Sequence, residues 1–370
     1  MPDLLDGISL VDHHCHGVLT TTLDRAAFEA ELTESSAPGP WHGSLFDTQA
    51  GLAVLRWCAP LLDLPAHTDP DGYLARRADL SAIEVNRRLI GATGIGNFMV
   101  DTGFQADHLT SPDELAAITG GRGHEIVRLE QIAEQVIGAA DYVDAFQQQL
   151  VSRGRDCAGF KSVAAYRVGL DLDPQRPSDS EVRAAADRWA ARLEQGTAPR
   201  LSDPVLIRFG IWKALDTGKP LQFHVGYGDR DVDLLRCDPL HLTPLLRATQ
   251  TLGTPIMLLH NYPFQRHAGY LAQVFDHVFV DVGLAMQNVG TRAAVVLAEL
   301  LELAPFGSVL FSTDAFALPE LYLTSTVLFR RALCSFLDDG LRDDAWGIAD
   351  VERISRLIGA DNARRAYGLQ

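Results

Sequence analysis

The chain has 370 residues, a formal net charge of −16 at neutral pH and 47% hydrophobic residues. This apolar content excludes wholesale disorder, and the acidic balance gives no attraction for nucleic acid or an anionic membrane surface. No apolar run reaches the roughly 18 residues of a membrane span, and residues 1–6 lack the basic start of a signal peptide. The five cysteines are scattered and form no C-x-x-C pair, which fits a reducing compartment. We therefore expect a cytoplasmic protein that acts on a small molecule, with no nucleic-acid or membrane partner.

Eight short apolar runs have the character of buried parallel strands. Stretches typical of helices separate the later runs, for example Pro204–Leu215 and residues 290–303. Eight strands with helical crossovers is the count of a (β/α)8 TIM barrel, so we predict an α/β fold of this type as a single domain over residues 1–370. The eight predicted strands are residues 9–12, 97–101, 125–129, 158–162, 220–224, 255–260, 277–281 and 308–312.

The first two predicted strands are separated by more than eighty residues, with helical patterns at 49–62 and 81–90. We expect a large helical insertion after strand 1, over residues 18–95, that serves as a lid at the C-terminal face of the barrel. Trp41, His42 and Trp57 are candidates for closing over a substrate, with packing inside the insertion as the alternative. Further on, Ser178 or Asp179 is the expected N-cap of a helix over 178–194. The tail, 350–370, is expected to be a closing helix followed by a frayed end.

Six potential metal ligands occur at the C-terminal ends of the predicted strands. His14 and His16 are two residues apart, so on a strand both rings point the same way and can reach one metal ion. His13 with Cys15 is the rival register. Because the C-terminal ends of barrel strands face the active site, the sequence predicts a metal centre there. The other four candidates follow strands four, five, six and eight and are Lys161, His224, His260 and Asp314.

Lys161 is the most unusual of these candidates, because the chain contains only three lysines. A lysine inside an apolar strand is costly unless its charge is paired or lost. Two interpretations stay open. A neutral amine can add carbon dioxide and become a carbamate that bridges two metal ions, or a charged amine can bind a substrate carboxylate.

These motifs together resemble the amidohydrolase superfamily of metal-dependent (β/α)8 enzymes. More narrowly, residues 159–167 (GFKSVAAYR), 220–229 (PLQFHVGYGD) and 312–314 (STD) are similar to the amidohydrolase-2 group. That group includes the N-terminal domain of the fungal developmental protein FluG and nodulin-type plant relatives, where the barrel is fused to a glutamine-synthetase-like domain. The resemblance covers nearly all of the 370 residues, and no part of them resembles the synthetase-like domain.

The resemblance implies a hydrolase that cleaves a small-molecule C–N bond, in an amide, γ-glutamyl amide, lactam or amidine, with a metal-activated hydroxide. His14, His16 and Asp314 would hold one divalent ion, and the two later histidines would hold a second. A carboxylated Lys161 would bridge the two ions, and Asp314 would carry the proton to the leaving amine. Zinc is the expected metal, with manganese, iron and nickel as alternatives for such a ligand set.

A mononuclear version stays open. In it the ion is bound by His14, His16, His224 and Asp314, while His260 acts as base and Lys161 touches the substrate. The catalytic candidates are Asp314, His260 and Lys161. The corresponding activity would be that of a metal-dependent decarboxylase or isomerase. A barrel that only binds its ligand is the third hypothesis, although no ligand position is missing.

Further residues at the strand ends are candidates for substrate binding. Tyr166 and Arg167 follow strand four and are placed to bind a substrate carboxylate, for which arginine is well suited; an ion pair within the loop is the alternative for Arg167. Asp229 follows strand five and is expected at the mouth of the site. Glu130, at the end of strand three, is a weaker candidate ligand. A homodimer is the expected assembly.

Overall fold

The computed structural model describes residues 7–35, 43–105 and 107–369. Within these ranges, seven parallel strands form one sheet in the order of the sequence, each paired with the next. Trp41 and His42 lie outside the described residues. The strands are β1 (Leu10–Cys15), β2 (Ile95–Asp101), β3 (Arg122–Arg128), β4 (Gly159–Ser162), β5 (Leu221–Val225), β6 (Ile256–His260) and β7 (Val278–Val280).

Seven of the eight predicted strands therefore form, and the eighth position holds an irregular stretch, residues 309–317, which we call the closing segment. It forms isolated parallel bridges from Val309 to Val280 and from Ala317 to Val18. It also accepts a backbone hydrogen bond at Phe311 O from His13 N. The closing segment thus joins β7 to β1 and completes the curl of the sheet.

A side chain of β1 interrupts the regular ladder in the closing segment. Asp12 accepts hydrogen bonds from Thr313 N at 2.9 Å and from Thr313 Oγ1 at 2.5 Å. Just beyond, Asp314 and Ala317 have φ angles of 50° and 60°, which lie in the left-handed region that extended strands do not use. A strand cannot continue through these residues, and the backbone turns at the point where Asp314 faces the barrel axis.

The helices follow the strands and surround the sheet. Within the described ranges they are α1 (Arg25–Ala30), α2 (Gln49–Ala53), α3 (Pro70–Asp79), α4 (Ala82–Gly91), α5 (Pro112–Thr119), α6 (Leu129–Val136), α7 (Tyr142–Gly154), α8 (Asp179–Glu194), α9 (Pro204–Leu215), α10 (Thr243–Thr249), α11 (Gln265–Val274), α12 (Gly283–Val289), α13 (Ala293–Leu301), α14 (Pro319–Arg342), α15 (Ile348–Arg356) and α16 (Asn362–Tyr367). None of these helices is both long and apolar enough to cross a membrane.

Local signals account for several helix boundaries. α9 begins and ends at the predicted residues, since Asp203 caps it and Pro204 occupies its first turn. α8 begins after Ser178, whose hydroxyl accepts from Glu181 N in a capping box. The longest helix, α14, was not among the predicted elements. It packs against α4, α12 and α13 and carries many of the buried residues behind the closing segment.

The chain between β1 and β2 runs through α1–α4, with a π turn (Val54–Cys58) and a 3₁₀ turn (Ala59–Leu62) after α2. Its anchor is a fully buried carboxylate on α14. Glu320 Oε1 accepts from Tyr73 Oη at 2.9 Å and from Arg77 Nε at 2.8 Å. Trp57 packs between the guanidinium groups of Arg56 and Arg331 and does not line the cavity described below. That this part of the chain acts as a lid stays a prediction.

The apolar core has two parts. The larger lies between the sheet and its helices, and the smaller fills the barrel interior, where α16 contributes to it. Asn362 donates to Phe306 O and Val309 O, which places α16 at the N-terminal end of the strands. The predicted fray is not observed up to residue 369, because Tyr367 is buried and hydrogen-bonded. The smaller core contains Val11, Met99, Ile126, Met257, Leu259, Phe279, Leu310, Ala360, Ala363 and Tyr367.

Replacing the α8 cap by Ser178→Ala removes the acceptor of Glu181 N, and we expect the free energy of unfolding to fall by about 1 kcal/mol. Urea unfolding followed by circular dichroism measures it. Ser152→Ala, at an exposed position inside α7, is the control and should be neutral or slightly stabilising. Equal effects of the two substitutions would contradict the assigned cap.

Candidate metal centre

The six residues expected as metal ligands come together at the carboxyl ends of the strands. They line one cavity of about 590 Å³. Their positions follow from the parallel sheet, which brings these strand ends to one edge. His14 lies in β1 and His16 just beyond it, Lys161 lies in β4, His224 in β5, His260 at the end of β6 and Asp314 in the closing segment.

Three donor groups form the tightest cluster. His14 Nε2 lies 3.0 Å and His16 Nε2 3.5 Å from the same atom, Asp314 Oδ1. Among the described residues, these donors all lie within 4.8 Å of one another. Burial alone would raise the pKa of Asp314, but the surrounding histidines hold it well below its usual range. The carboxylate is therefore an anion that faces two imidazoles, a donor set suited to a divalent transition metal.

The two β1 histidines have fixed orientations. His14 Nδ1 lies 2.9 Å from Gln222 Oε1, and His16 Nδ1 lies 3.2 Å from the carbonyl oxygen of Asp101. A carbonyl oxygen only accepts, so each Nδ1 carries the proton and each Nε2 keeps its lone pair. Metal-ligating histidines are commonly held by such a partner on the other nitrogen.

The second pair of histidines is buried and faces the same space. The rings of His224 and His260 have centroids 4.6 Å apart. Burial lowers the pKa of His260 to about 4 and that of His224 well below its usual value, so both rings are neutral at pH 7. Within the described residues, His224 Nε2 and His260 Nδ1 have no hydrogen-bond partner. Two orphaned nitrogens beside a carboxylate fit a further ligand site for a cation.

A glycine allows the loop after β5 to approach these rings. A Cβ at Gly228 would lie 2.2 Å from Tyr166 Oη and 2.9 Å from His224 Nε2. Any larger residue would push the loop away, so the glycine keeps the Tyr166 hydroxyl close to His224.

Lys161 lies inside this cluster, with Nζ 3.2 Å from His14 Nε2. It is almost completely buried, and no carboxylate of the described residues lies within ion-pair distance of its amine. Burial lowers the pKa of Lys161 to about 8, an effect that Asp101 and Asp314 partly offset. The lowered pKa increases the share of neutral amine near neutral pH, and the neutral amine is the form that reacts with carbon dioxide.

The residues expected to bind substrate are arranged less uniformly. Tyr166 stacks obliquely on His224 with centroids 4.4 Å apart, and Asp229 lines the cavity. Arg167 also lines it, but its guanidinium lies 3.2 Å from Glu134 and donates to the carbonyl of Leu201. It thus forms an ion pair, although with a residue of α6 and not within its own loop. Glu130 points elsewhere, because it accepts from Ser162 Oγ and Val163 N.

Polar groups that the sequence analysis missed support the centre. Gln222 is a polar residue two positions before His224 on the same strand. Arg128, at the end of β3, pairs with buried Asp101 at 2.6 Å and lies over the ring of Phe104. Glu34 also lines the cavity, where burial and then Asp314 and Asp229 raise its pKa to about 8. For Gln222 and Arg128 the available signal was a polar residue within an otherwise apolar strand.

The rival register of β1 is not used at the cavity. His13 Nε2 lies 2.9 Å from Asp281 Oδ2, and Cys15 Sγ donates to Met99 O. The pairing of β1 with β2 shifts between Asp12 and Cys15. At this irregularity the His14 ring reaches Gln222 on β5, while the His13 ring reaches Asp281 after β7.

No protein-family model matches the chain. It is 28% identical over 403 residues to Protein fluG of Emericella nidulans, a match that covers 97% of this chain and 46% of that protein. The chain thus spans about half the length of this curated relative. A crystal structure described as a "putative metal-dependent hydrolase" from Lactobacillus casei superposes with a TM-score of 0.87 at 30% identity, over 99% of this chain and 96% of that one.

Two uronate isomerases are more distant. The enzyme from Bacillus halodurans matches with a TM-score of 0.66 at 14% identity over 100% of this chain and 95% of its own. The enzyme from Thermotoga maritima matches with a TM-score of 0.65 at 12% identity, over 99% of this chain and 96% of its own. At these identities the likeness shows a common barrel fold.

Replacing Arg128 by methionine would leave Asp101 with a buried carboxylate that lacks its ion-pair partner. Asp101 is also the residue whose carbonyl oxygen accepts from the ring of His16. We expect the free energy of unfolding to fall by about 3–5 kcal/mol, measured by urea unfolding of the metal-free protein. The double variant Asp101→Asn, Arg128→Met removes both charges and should recover part of the loss. Equal losses in the single and double variants would show that Arg128 acts by packing alone.

Proposed function

We propose that this chain, which belongs to the amidohydrolase superfamily of metal-dependent barrel enzymes, is a hydrolase that cleaves a C–N bond of a small molecule with bound divalent metal. The observation that carries the proposal is the convergence of His14 Nε2 and His16 Nε2 on Asp314 Oδ1, while both Nδ1 atoms are engaged elsewhere. The description of the Lactobacillus casei protein as a metal-dependent hydrolase supports the same reaction class.

The donor set fits one ion and has the groups for a second. His14, His16 and Asp314 would hold the first, and the orphaned nitrogens of the β5 and β6 histidines would hold the second. A carboxylated Lys161 would supply the anionic group between the two positions. A divalent cation there supplies a Lewis acid and lowers the pKa of water toward neutrality. Zinc is the proposed metal, and manganese, iron or nickel also suit imidazole and carboxylate ligands.

The residues of the chain itself provide proton transfer and orientation. Asp314 is anionic, with Oδ2 3.6 Å from His260 Nδ1, so it is placed to take a proton from water and return it to the leaving amine. The Tyr166 hydroxyl beside His224 is placed to orient the substrate, and Asp229 is placed at the mouth of the cavity. The resemblance to the amidohydrolase-2 group favours an amide, γ-glutamyl amide, lactam or amidine as substrate.

A second candidate function is the isomerisation of a sugar acid on a single ion. It is favoured by the cluster of His14, His16 and Asp314, which is complete without Lys161, and by the barrel shared with uronate isomerases. In that case Lys161 stays an amine and contacts the substrate. The two candidates therefore differ in the number of ions and in the chemical state of one lysine.

The metal content of the purified protein separates these candidates. We expect about two ions per chain in the wild type and about one in Lys161→Ala, because the variant loses the bridging anion. Elemental analysis of protein purified without chelator measures this, with Lys213→Ala on α9 as the control. About one ion in both proteins would favour the isomerase, and no metal after reconstitution with zinc or manganese would contradict both candidates.

Asp314→Asn removes the proposed proton acceptor while keeping the size of the side chain. We expect turnover to fall at least about 10²-fold, the scale of a lost general base, with an unchanged circular dichroism spectrum. The assay is ammonia or amine release from a panel of small amides, γ-glutamyl amides, lactams and amidines. Asp276→Asn, which changes an exposed carboxylate, is the control. Near-normal turnover in Asp314→Asn would contradict the proposed proton transfer.

A further inference from the structure

A buried polar network lies below the candidate metal centre, on the side of α16, and the proposed chemistry does not use its members directly. It consists of His13, Gln222, Asp281 and Tyr367. The first three are fully buried and Tyr367 is 9% exposed. Polar groups at such depth are retained only when they are hydrogen-bonded, and these four satisfy one another across β1, β5, α16 and the loop after β7.

One branch of the network runs from Tyr367 to His14. Gln222 Nε2 donates to His13 O at 2.7 Å and to Tyr367 Oη at 2.9 Å. Because a backbone carbonyl can only accept, the amide nitrogen must lie on that side, and the oxygen must face His14 Nδ1 at 2.9 Å. The tyrosine hydroxyl thus helps to fix the amide that selects the tautomer of His14.

The second branch runs from Tyr367 to the backbone of His260. Tyr367 Oη lies 3.3 Å from His13 Nδ1, and His13 Nε2 lies 2.9 Å from Asp281 Oδ2. A carboxylate accepts, so in a neutral ring Nε2 carries the proton and Nδ1 accepts from the tyrosine. Asp281 Oδ1 then accepts from His260 N at 3.0 Å.

The end of this branch restrains an uncommon backbone conformation. His260 has φ of 71° and Asn261 has φ of 56°. In this left-handed region any residue other than glycine is conformationally strained, and the strain persists only where the surrounding structure imposes it. The hydrogen bond from His260 N to Asp281 holds the turn, and Asn261 Nδ2 donates to Asp281 O at 2.9 Å. The position of the His260 ring therefore depends on where Asp281 lies.

We infer that Tyr367 of α16 is a positioning residue of the metal centre, because its hydroxyl joins the hydrogen-bond chain that ends at His14 to the chain that ends at His260. Through this residue α16 influences the alignment of both His14 and His260. This inference rests on the metal binding of the proposed function. Loss of the hydroxyl would leave Gln222 Nε2 and His13 Nδ1 each short of one partner. The amide would then be held by His13 O alone and would restrain the His14 ring less tightly.

The test is Tyr367→Phe with Tyr142→Phe as a matched control. Among the described residues Tyr142 Oη is buried without a hydrogen-bond partner, so the same atom is deleted there without breaking a bond. Three quantities are measured on full-length protein: zinc affinity by competition with a chromophoric chelator, the visible absorption spectrum of the cobalt(II)-substituted protein, and the thermal midpoint of the metal-free protein.

We expect Tyr367→Phe to bind zinc about 10–100-fold more weakly, the range found when outer partners of metal ligands are lost. Its cobalt spectrum should change, and Tyr142→Phe should match the wild type in both. Wild-type affinity and an unchanged spectrum in Tyr367→Phe would overturn the inference, as would equal losses in the two variants. A wild-type protein that binds neither zinc nor cobalt would instead refute the proposed function on which the inference rests.

A second variant tests the route and covers the case in which Tyr367→Phe folds poorly. Gln222→Met keeps the volume but removes all three hydrogen bonds of the amide, and it should weaken zinc binding to a similar degree. Combining it with Tyr367→Phe should cost less zinc affinity than the sum of the two losses, because Gln222→Met has already broken the branch to His14 and only the branch through His13 remains to be lost. Fully additive losses, or wild-type zinc binding in Gln222→Met, would contradict the proposed route.

Discussion

The closure of this barrel depends on the hydrogen bonds that the buried carboxylate of Asp281 accepts. It accepts from His13 Nε2 of β1, from the backbone N–H of His260 at the end of β6, from Gly283 N at the start of α12 and from Ser312 Oγ in the closing segment. Burial alone would raise its pKa, but these donors, His13 first, hold the pKa of Asp281 well below its usual range. One anion thus connects the first strand, the sixth strand and the irregular eighth position.

This arrangement explains why the eighth position needs no regular ladder. A strand is ordinarily held by backbone hydrogen bonds on both sides. The closing segment keeps several such bonds to β7 and β1, and at Ser312 and Thr313 the side chains of Asp281 and Asp12 hold it instead. The backbone is therefore free to adopt the left-handed conformation at Asp314. That turn brings the carboxylate over His14 and His16, so the loss of strand regularity and the formation of the donor cluster have the same cause.

The sequence was sufficient for the parts of the structure that depend on local pattern. Buried parallel strands are apolar runs, and their C-terminal ends meet at one edge, so the positions of His14, His224 and His260 followed from the pattern of the strands. The irregular eighth position did not, because the carboxylates that hold it are about 30 and 300 residues away in sequence. The role of Tyr367 was hidden for the same reason, since its partner Gln222 is separated from it by 145 residues.

The charge state of Lys161 decides what this donor set can do. Its amine lies 3.2 Å from His14 Nε2, which is itself 3.0 Å from Asp314 Oδ1. A buried ammonium without an adjacent carboxylate is expensive, and it would repel a metal ion held by those same atoms. Binding of a metal ion at those atoms would therefore favour the neutral amine or a carbamate over the ammonium form. The neutral amine would suit one ion and a substrate contact, while a carbamate would supply the additional negative charge that a second ion requires. In the proposed function, the choice between one metal ion and two, and with it between isomerase and hydrolase chemistry, depends on the chemical state of the buried Lys161 amine.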